Sequence, residues 1–65
     1  MKTLKQAREE KGIKQVAVAD HLGVSRQTYA GYELHPKDMS VRQAQAVCAF
    51  IGCTMDEIFL PEEVN

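Results

Sequence analysis

Gln15-Val16-Ala17-Val18-Ala19-Asp20-His21-Leu22-Gly23-Val24-Ser25-Arg26-Gln27-Thr28-Tyr29-Ala30-Gly31-Tyr32-Glu33-Leu34 is the stretch on which the fold turns. Two short helical patterns flank Leu22-Gly23-Val24-Ser25. Gly23 ends the first, and Ser25 offers a side-chain oxygen to cap the second, which begins at Arg26. Helices that meet at a steep angle need a small residue where their backbones approach, and Ala19 supplies it. The turn needs a residue tolerant of positive φ, and Gly23 supplies that. Val18, Leu22, Val24, Tyr29 and Tyr32 are then spaced to fill the wedge between the two helices. A plain αα-hairpin also favours Gly in its turn, so this spacing alone leaves two readings open.

Outward from this stretch, the punctuation predicts an all-α chain of five helices. Residues 2–11 are rich in helix formers, with Leu4 and Ala7 at i, i+3 spacing and Gly12 closing the segment. Pro36 disfavours the α conformation at His35, so the third helix should stop near Leu34. Ser40 caps a fourth helix running to Ile51, with Val41, Ala44, Val47, Cys48 and Ile51 expected on one buried face, and Gly52 terminates it. Thr54 with Glu57 three residues on is a capping-box signature for a short fifth helix ending near Phe59. Pro61 stops it. The expected organisation is one domain over residues 1–60 and a frayed acidic tail at 61–65, with Met1 expected to be a natural start.

Sixty-five residues allow a single domain and argue against a large enclosed active site. An apolar fraction of 45% with 26% charged residues excludes a disordered or fibrous chain. The longest apolar run, Ala46 to Cys53, is far short of a membrane span, and the N-terminus has no secretory pattern, so a soluble cytoplasmic protein is expected. Eight bases against five acids give residues 1–42 a net charge of +3, whereas residues 43–65 hold four acids and no base. That asymmetry hints at a basic working surface and an acidic opposite end. Cys48 and Cys53 form one C-x4-C pair inside an apolar pattern. With His21 and His35 as the only imidazoles, the spacing does not fit zinc, so reduced, buried, structural thiols and no metal are expected. No nucleophile–base arrangement, phosphate-binding Gly-rich loop or cleft carboxylate pair stands out. The expectation is no enzyme and no cofactor, with both histidines on the surface.

Ala19 and Gly23, four apart and flanked by the wedge residues, match the helix-turn-helix pattern of DNA-binding proteins. Longer stretches then resemble the Cro/repressor-type (XRE) helix-turn-helix family. They are Leu4-Lys5-Gln6-Ala7-Arg8-Glu9-Glu10-Lys11-Gly12-Ile13-Lys14-Gln15, His21-Leu22-Gly23-Val24-Ser25-Arg26-Gln27-Thr28-Tyr29 with Tyr32-Glu33, and Ile51-Gly52-Cys53-Thr54-Met55-Asp56-Glu57-Ile58-Phe59. The similarity spans residues 4–59 and implies a lambda-repressor-like five-helix fold. It makes the helix from Arg26 to Leu34 the recognition helix of the major groove. Arg26 matches a base-reading position suited to guanine, Gln27 a second suited to adenine, Thr28 falls to a thymine methyl or a phosphate, and Ala30 to a thymine methyl. Gln15 matches a phosphate-clamp position at a helix N-terminus, with Lys14, Lys37 and Arg42 as further phosphate neighbours. Arg8 and Glu33 match an internal ion pair tying the first helix to the third. Ala19, Gly23, Tyr29 and Tyr32 build the motif.

The sequence also departs from the family pattern. Tyr29 stands where Ile or Val is usual. Ala30 and Gly31 replace a third reading side chain, and Leu34-His35-Pro36 replaces a polar-Gly turn. Phe50 lies off the buried stripe, and with Phe59 and Leu60 it is a candidate homodimer surface. The function implied is sequence-specific binding of double-stranded DNA by a phage-type transcriptional repressor, acting as a homodimer on a pseudo-palindromic operator. The alternative is an antitoxin-like or adaptor module that binds protein, which Val16 and Ala17 favour because they occupy positions that are usually polar.

Overall fold

The computed structural model describes residues 2–59, with the Phe59 side chain excepted. Five α-helices follow one another: α1 (Leu4–Glu10), α2 (Gln15–Leu22), α3 (Arg26–Leu34), α4 (Val41–Ile51) and α5 (Met55–Phe59). A 3-10 turn, Pro36–Asp38, links α3 to α4, and no strand occurs among the described residues. No helix of the described chain is long and apolar enough to cross a membrane. The sequence boundaries hold closely for α2, α3 and α4. The 3-10 turn was not anticipated. It forms because Pro36 cannot continue α3 but suits the first position of a new turn, which Asp38 and Met39 close by donating to the carbonyls of His35 and Pro36.

Helices this short are unstable alone, so their ends are fixed by side chains. Three reciprocal capping boxes do this. Thr3 and Gln6 exchange bonds of 3.0 and 2.8 Å, Ser40 and Gln43 bonds of 3.0 and 3.0 Å, and Thr54 and Glu57 bonds of 3.2 and 3.0 Å. The Thr54–Glu57 box was predicted; the boxes of α1 and α4 use Gln rather than Glu at their third position.

The core gathers Leu4 and Ala7 of α1, Val18 and Ala19 of α2, Tyr29 of α3, Ala44, Val47, Cys48 and Ile51 of α4, Met39 and Ile58. Ile13, Leu22, Val24, Tyr32, Cys53 and Met55 pack around it. α2 lies against both α3 and α4. Two expectations change, and a third gains a detail. Val41 is 69% exposed rather than part of the α4 stripe, because it sits in the first turn, ahead of the segment that α2 covers. Cys53 is only half-buried, past the end of α4. Phe50 does lie off the stripe, but its ring stacks on His21 with centroids 4.4 Å apart and planes 17° from parallel, which leaves it 40% exposed. Leu60 and the acidic tail lie outside the described residues.

Candidate nucleic-acid interface

The wedge between α2 and α3 is built as its residues demand. Gly23 takes φ +74° and ψ 29°, a left-handed conformation that only glycine adopts without strain. Its own N–H donates to the Asp20 carbonyl, and the Val24 N–H returns to Ala19 at 3.0 Å, closing the end of α2. Ser25 accepts from the Thr28 N–H at 3.0 Å and so starts α3. Val18, Ala19 and Tyr29 are fully buried at the seam. An α-helix advances ~100° per residue, so with Tyr29 inward, Gln27 lies about 160° away on the far side. Ala30, Gly31 and Leu34 flank Gln27 on that outward face, and Arg26, in the first turn of α3, is exposed at its edge. The motif therefore directs the start of α3 to solvent.

Behind that face runs a chain of polar contacts. Arg8 is 7% exposed, and its Nη1 donates to the Ile13 carbonyl at 2.7 Å. Its Nε and Nη2 donate to the two carboxylate oxygens of Glu33 at 2.5 and 3.3 Å, the fork-to-fork geometry that suits guanidinium and carboxylate. Gln15 Nε2 donates to Glu33 Oε1 at 2.9 Å, and Gln15 Oε1 accepts from Arg26 Nη1 at 3.1 Å. The orientation of the Gln15 amide follows from its neighbours, since the reverse would face oxygen to carboxylate and NH2 to guanidinium.

Burial alone would raise the Glu33 carboxyl, but donation from Arg8 and Gln15, with the Tyr29 hydroxyl close by, outweighs it and holds the group below the ordinary carboxylate range. Arg8 is shifted upward, chiefly by its hydrogen bond to Glu33. The Tyr29 phenol is pushed up first by burial and then by the neighbouring carboxylate. Its hydroxyl sits beside the pair without a well-formed hydrogen bond.

The structure thus joins four residues that the sequence assigned to three tasks. Gln15 and Arg26, a phosphate position and a base position, are hydrogen-bonded to each other, and Gln15 is bonded in turn to the Arg8–Glu33 pair. Neither loses its capacity for DNA. Arg26 keeps four of its five N–H donors and Gln15 one of its two. Gln27 is exposed, and Ala30 is half-exposed. Thr28 is exposed, but its hydroxyl accepts from Ser25 Oγ at 3.0 Å, within the cap of α3. Lys14, Lys37 and Arg42 are exposed and make no side-chain hydrogen bond or ion pair among the described residues.

Two features were missed. Leu34 is 76% exposed at the end of the outward face. Lys5 of α1 joins Gln15, Ala30, Glu33 and Leu34 around an open depression of about 260 Å³, which places a cation beside the Gln15 end of α2. Lys5 lies one turn ahead of Arg8 in phase with it, and that spacing was the available signal.

A search of the curated proteins returned no match. A helix-turn-helix family model matches residues 4–58, from the first residue of α1 into α5, and so covers every element that holds the wedge in place. With Gly23 at the turn, Arg26 and Gln27 outward and the match spanning most of its length, the chain belongs to the Cro/repressor-type (XRE) helix-turn-helix family of sequence-specific DNA-binding proteins.

Proposed function

We propose that the protein is a transcriptional repressor of phage type that binds a pseudo-palindromic operator as a homodimer. The observation that carries this reading is Arg26. It stands at the first position of α3, outward, with its guanidinium steadied on Gln15 rather than free in solvent. A steadied guanidinium has the planar fork that pairs with O6 and N7 of guanine, and Gln27 beside it has the amide that pairs with adenine. The free N–H of Gln15, with Lys14, Lys5, Lys37 and Arg42, supplies the phosphate contacts that set register. Two copies related by a dyad would place their α3 helices about 34 Å apart, in successive major grooves. Phe50, Phe59 and Leu60 are the proposed dimer surface, and occupation of a promoter is the simplest route to repression for a domain of this kind. A cytoplasmic location follows from the same reading.

In vitro selection of bound duplexes, at low and at moderate salt, tests this function. Enrichment of a two-fold symmetric motif supports it. Binding without a motif, falling steeply with salt, refutes base reading. Arg26→Ala is expected to lower affinity for the selected site by about 1–3 kcal/mol and to relax specificity at one position per half-site. A second reading, a module whose chief ligand is protein, draws on the exposure of Val16 (49%) and Leu34 (76%). It requires Arg26→Ala to leave the principal interaction intact.

A further inference from the structure

At the opposite end of the sequence, the junction of α4 and α5 holds two thiols that base reading does not use. Gly52, at φ +93°, turns the chain back so that the N–H groups of Gly52 and Cys53 both donate to the Cys48 carbonyl, at 2.8 and 3.0 Å. This is the helix closure in which the residue after the left-handed glycine meets the side chain one turn before it. Here those two residues are Cys53 and Cys48. The 3.0 Å main-chain bond brings the two residues side by side, the close approach that a disulfide, with its ~4.4–6.8 Å Cα window, requires.

The two sulfurs differ in setting. Cys48 is 3% exposed, and burial first, then contact with the Cys53 sulfur, push its thiol up to about 12. Cys53 is half-buried at the surface. Charges of both signs lie around this turn. The Lys11 Nζ lies 3.1 Å from where a Cβ on Gly52 would stand. Lys2 is raised chiefly by its 2.7 Å bond to Glu10, and Glu57 and Cys53 are near enough to add to that shift. A half-buried thiol at the surface, backed by a buried second thiol, is the arrangement of an attacking cysteine with its resolving partner.

We propose that Cys53 and Cys48 are a thiol–disulfide modification site, opened by a low-molecular-weight disulfide such as oxidised glutathione. The Cys53 thiolate attacks one sulfur of the glutathione disulfide. That S–S bond breaks, and one glutathione thiolate leaves and takes up the proton that Cys53 released. The Cys48 thiol then gives its proton to solvent and its sulfur attacks the Cys53 sulfur, expelling the second glutathione thiolate, which is protonated in turn. Two protein thiols are oxidised to one disulfide, and one glutathione disulfide is reduced to two glutathione thiols. The bond closes the α4 end onto the start of α5, without any change at Arg26 or Gln27.

The folded wild-type protein is titrated across glutathione redox buffers and read by intact mass and iodoacetamide labelling. The expected product is a monomer about 2 Da lighter with both thiols lost to the label, formed in a single two-electron transition. Cys48→Ser should stop at an adduct on Cys53 about 305 Da heavier, and Cys53→Ser should react at least ~10-fold more slowly than wild type. Cys48→Ala and Cys53→Ala repeat the comparison if either serine unfolds the chain, and the wild-type mass change stands without them. The proposal is overturned if wild type stops at a stable Cys53 adduct or pairs only between chains. Closure only in denaturing urea, or a Cys53 variant that reacts as fast as wild type, overturns it equally.

Discussion

Removing either charge of the Arg8–Glu33 pair should bring the domain close to unfolding, and removing both should not. The two side chains are 9% and 5% exposed, so each ion has given up most of its hydration. Glu33→Gln preserves shape but leaves the buried Arg8 guanidinium without a counter-charge, facing only the neutral amide oxygen and the Ile13 carbonyl. Arg8→Ala strands the Glu33 carboxylate with one Gln15 N–H. An uncompensated buried charge of this kind costs about 3–5 kcal/mol. At ~0.05–0.15 kcal/mol per residue, a chain of 65 residues has only about 3–10 kcal/mol of net stability. Each single variant should therefore lose a third or more of the total. Arg8→Met with Glu33→Leu replaces the pair by apolar groups of similar bulk, and the double variant should lie within about 1–2 kcal/mol of wild type. Arg8→Met, Glu33→Leu, their double and wild type are the four corners of the cycle, read by urea titration followed by circular dichroism. Single variants that each lose under about 1 kcal/mol, or a double variant as unstable as the sum of the singles, would falsify the claim that α1 and α3 are joined by a desolvated pair.

The remaining predictions concern pH, backbone and the phosphate position. Because the folded-state pKa of Glu33 is depressed, its contribution is fully present above the unfolded value of about 4.3 and is lost as pH falls through the folded value. Stability should hold from neutrality to about pH 5 and drop below pH 4, and Arg8→Met with Glu33→Leu should flatten that drop in acid titrations of the folded fraction. Gly23→Ala and Gly31→Ala should act in opposite directions. A Cβ meets nothing within 4 Å at either, but Gly23 has φ +74° and Gly31 is ordinary helix. The first should cost about 1 kcal/mol and the second gain ~0.5–1 kcal/mol, seen as shifts of a few degrees in Tm. Gln15→Ala should weaken binding to selected and random duplexes alike and leave the salt slope unchanged, because the phosphate contact it removes comes from a neutral amide that displaces no counterion. A loss confined to the selected sequence would instead assign Gln15 to Arg26 alone.

The backbone was legible in the sequence because each helix end carries its own chemistry. Gly23, Ser25, Ser40, Gly52 and Thr54 mark boundaries through conformations and hydrogen bonds that involve only near neighbours. Side-chain burial was legible where periodicity is long, as for Ala44, Val47, Cys48 and Ile51 on α4. It failed at Val41, because the periodic stripe does not say how far along α4 the neighbouring helix reaches. The Phe50–His21 stack joins residues far apart in sequence whose pairing no local pattern encodes. For the interface, the outward placement of Arg26 and Gln27 followed from the wedge, whereas the Gln15–Arg26 and Gln15–Glu33 bonds did not. Spacings of 11 and 18 residues acquire meaning only once Gly23 fixes the angle between α2 and α3.

That angle also decides how Arg26 and Gln27 divide the work. A surface arginine gives up rotamer freedom when it docks on a base, a loss of ~0.5–1.5 kcal/mol for a side chain of this length. Here much of that ordering precedes DNA, since the guanidinium is tied through Gln15 and Glu33 to Arg8, and through Arg8 to the main chain at Ile13. Gln27 has no such tie among the described residues and must be ordered by the duplex itself. Under the proposed function, the two positions would then read on different terms: an arginine braced before binding, and an amide free to adapt to its base. The bracing does not come from the recognition helix alone. It passes through a buried carboxylate to the first helix, which so supports the interface as well as lending Leu4 and Ala7 to the core.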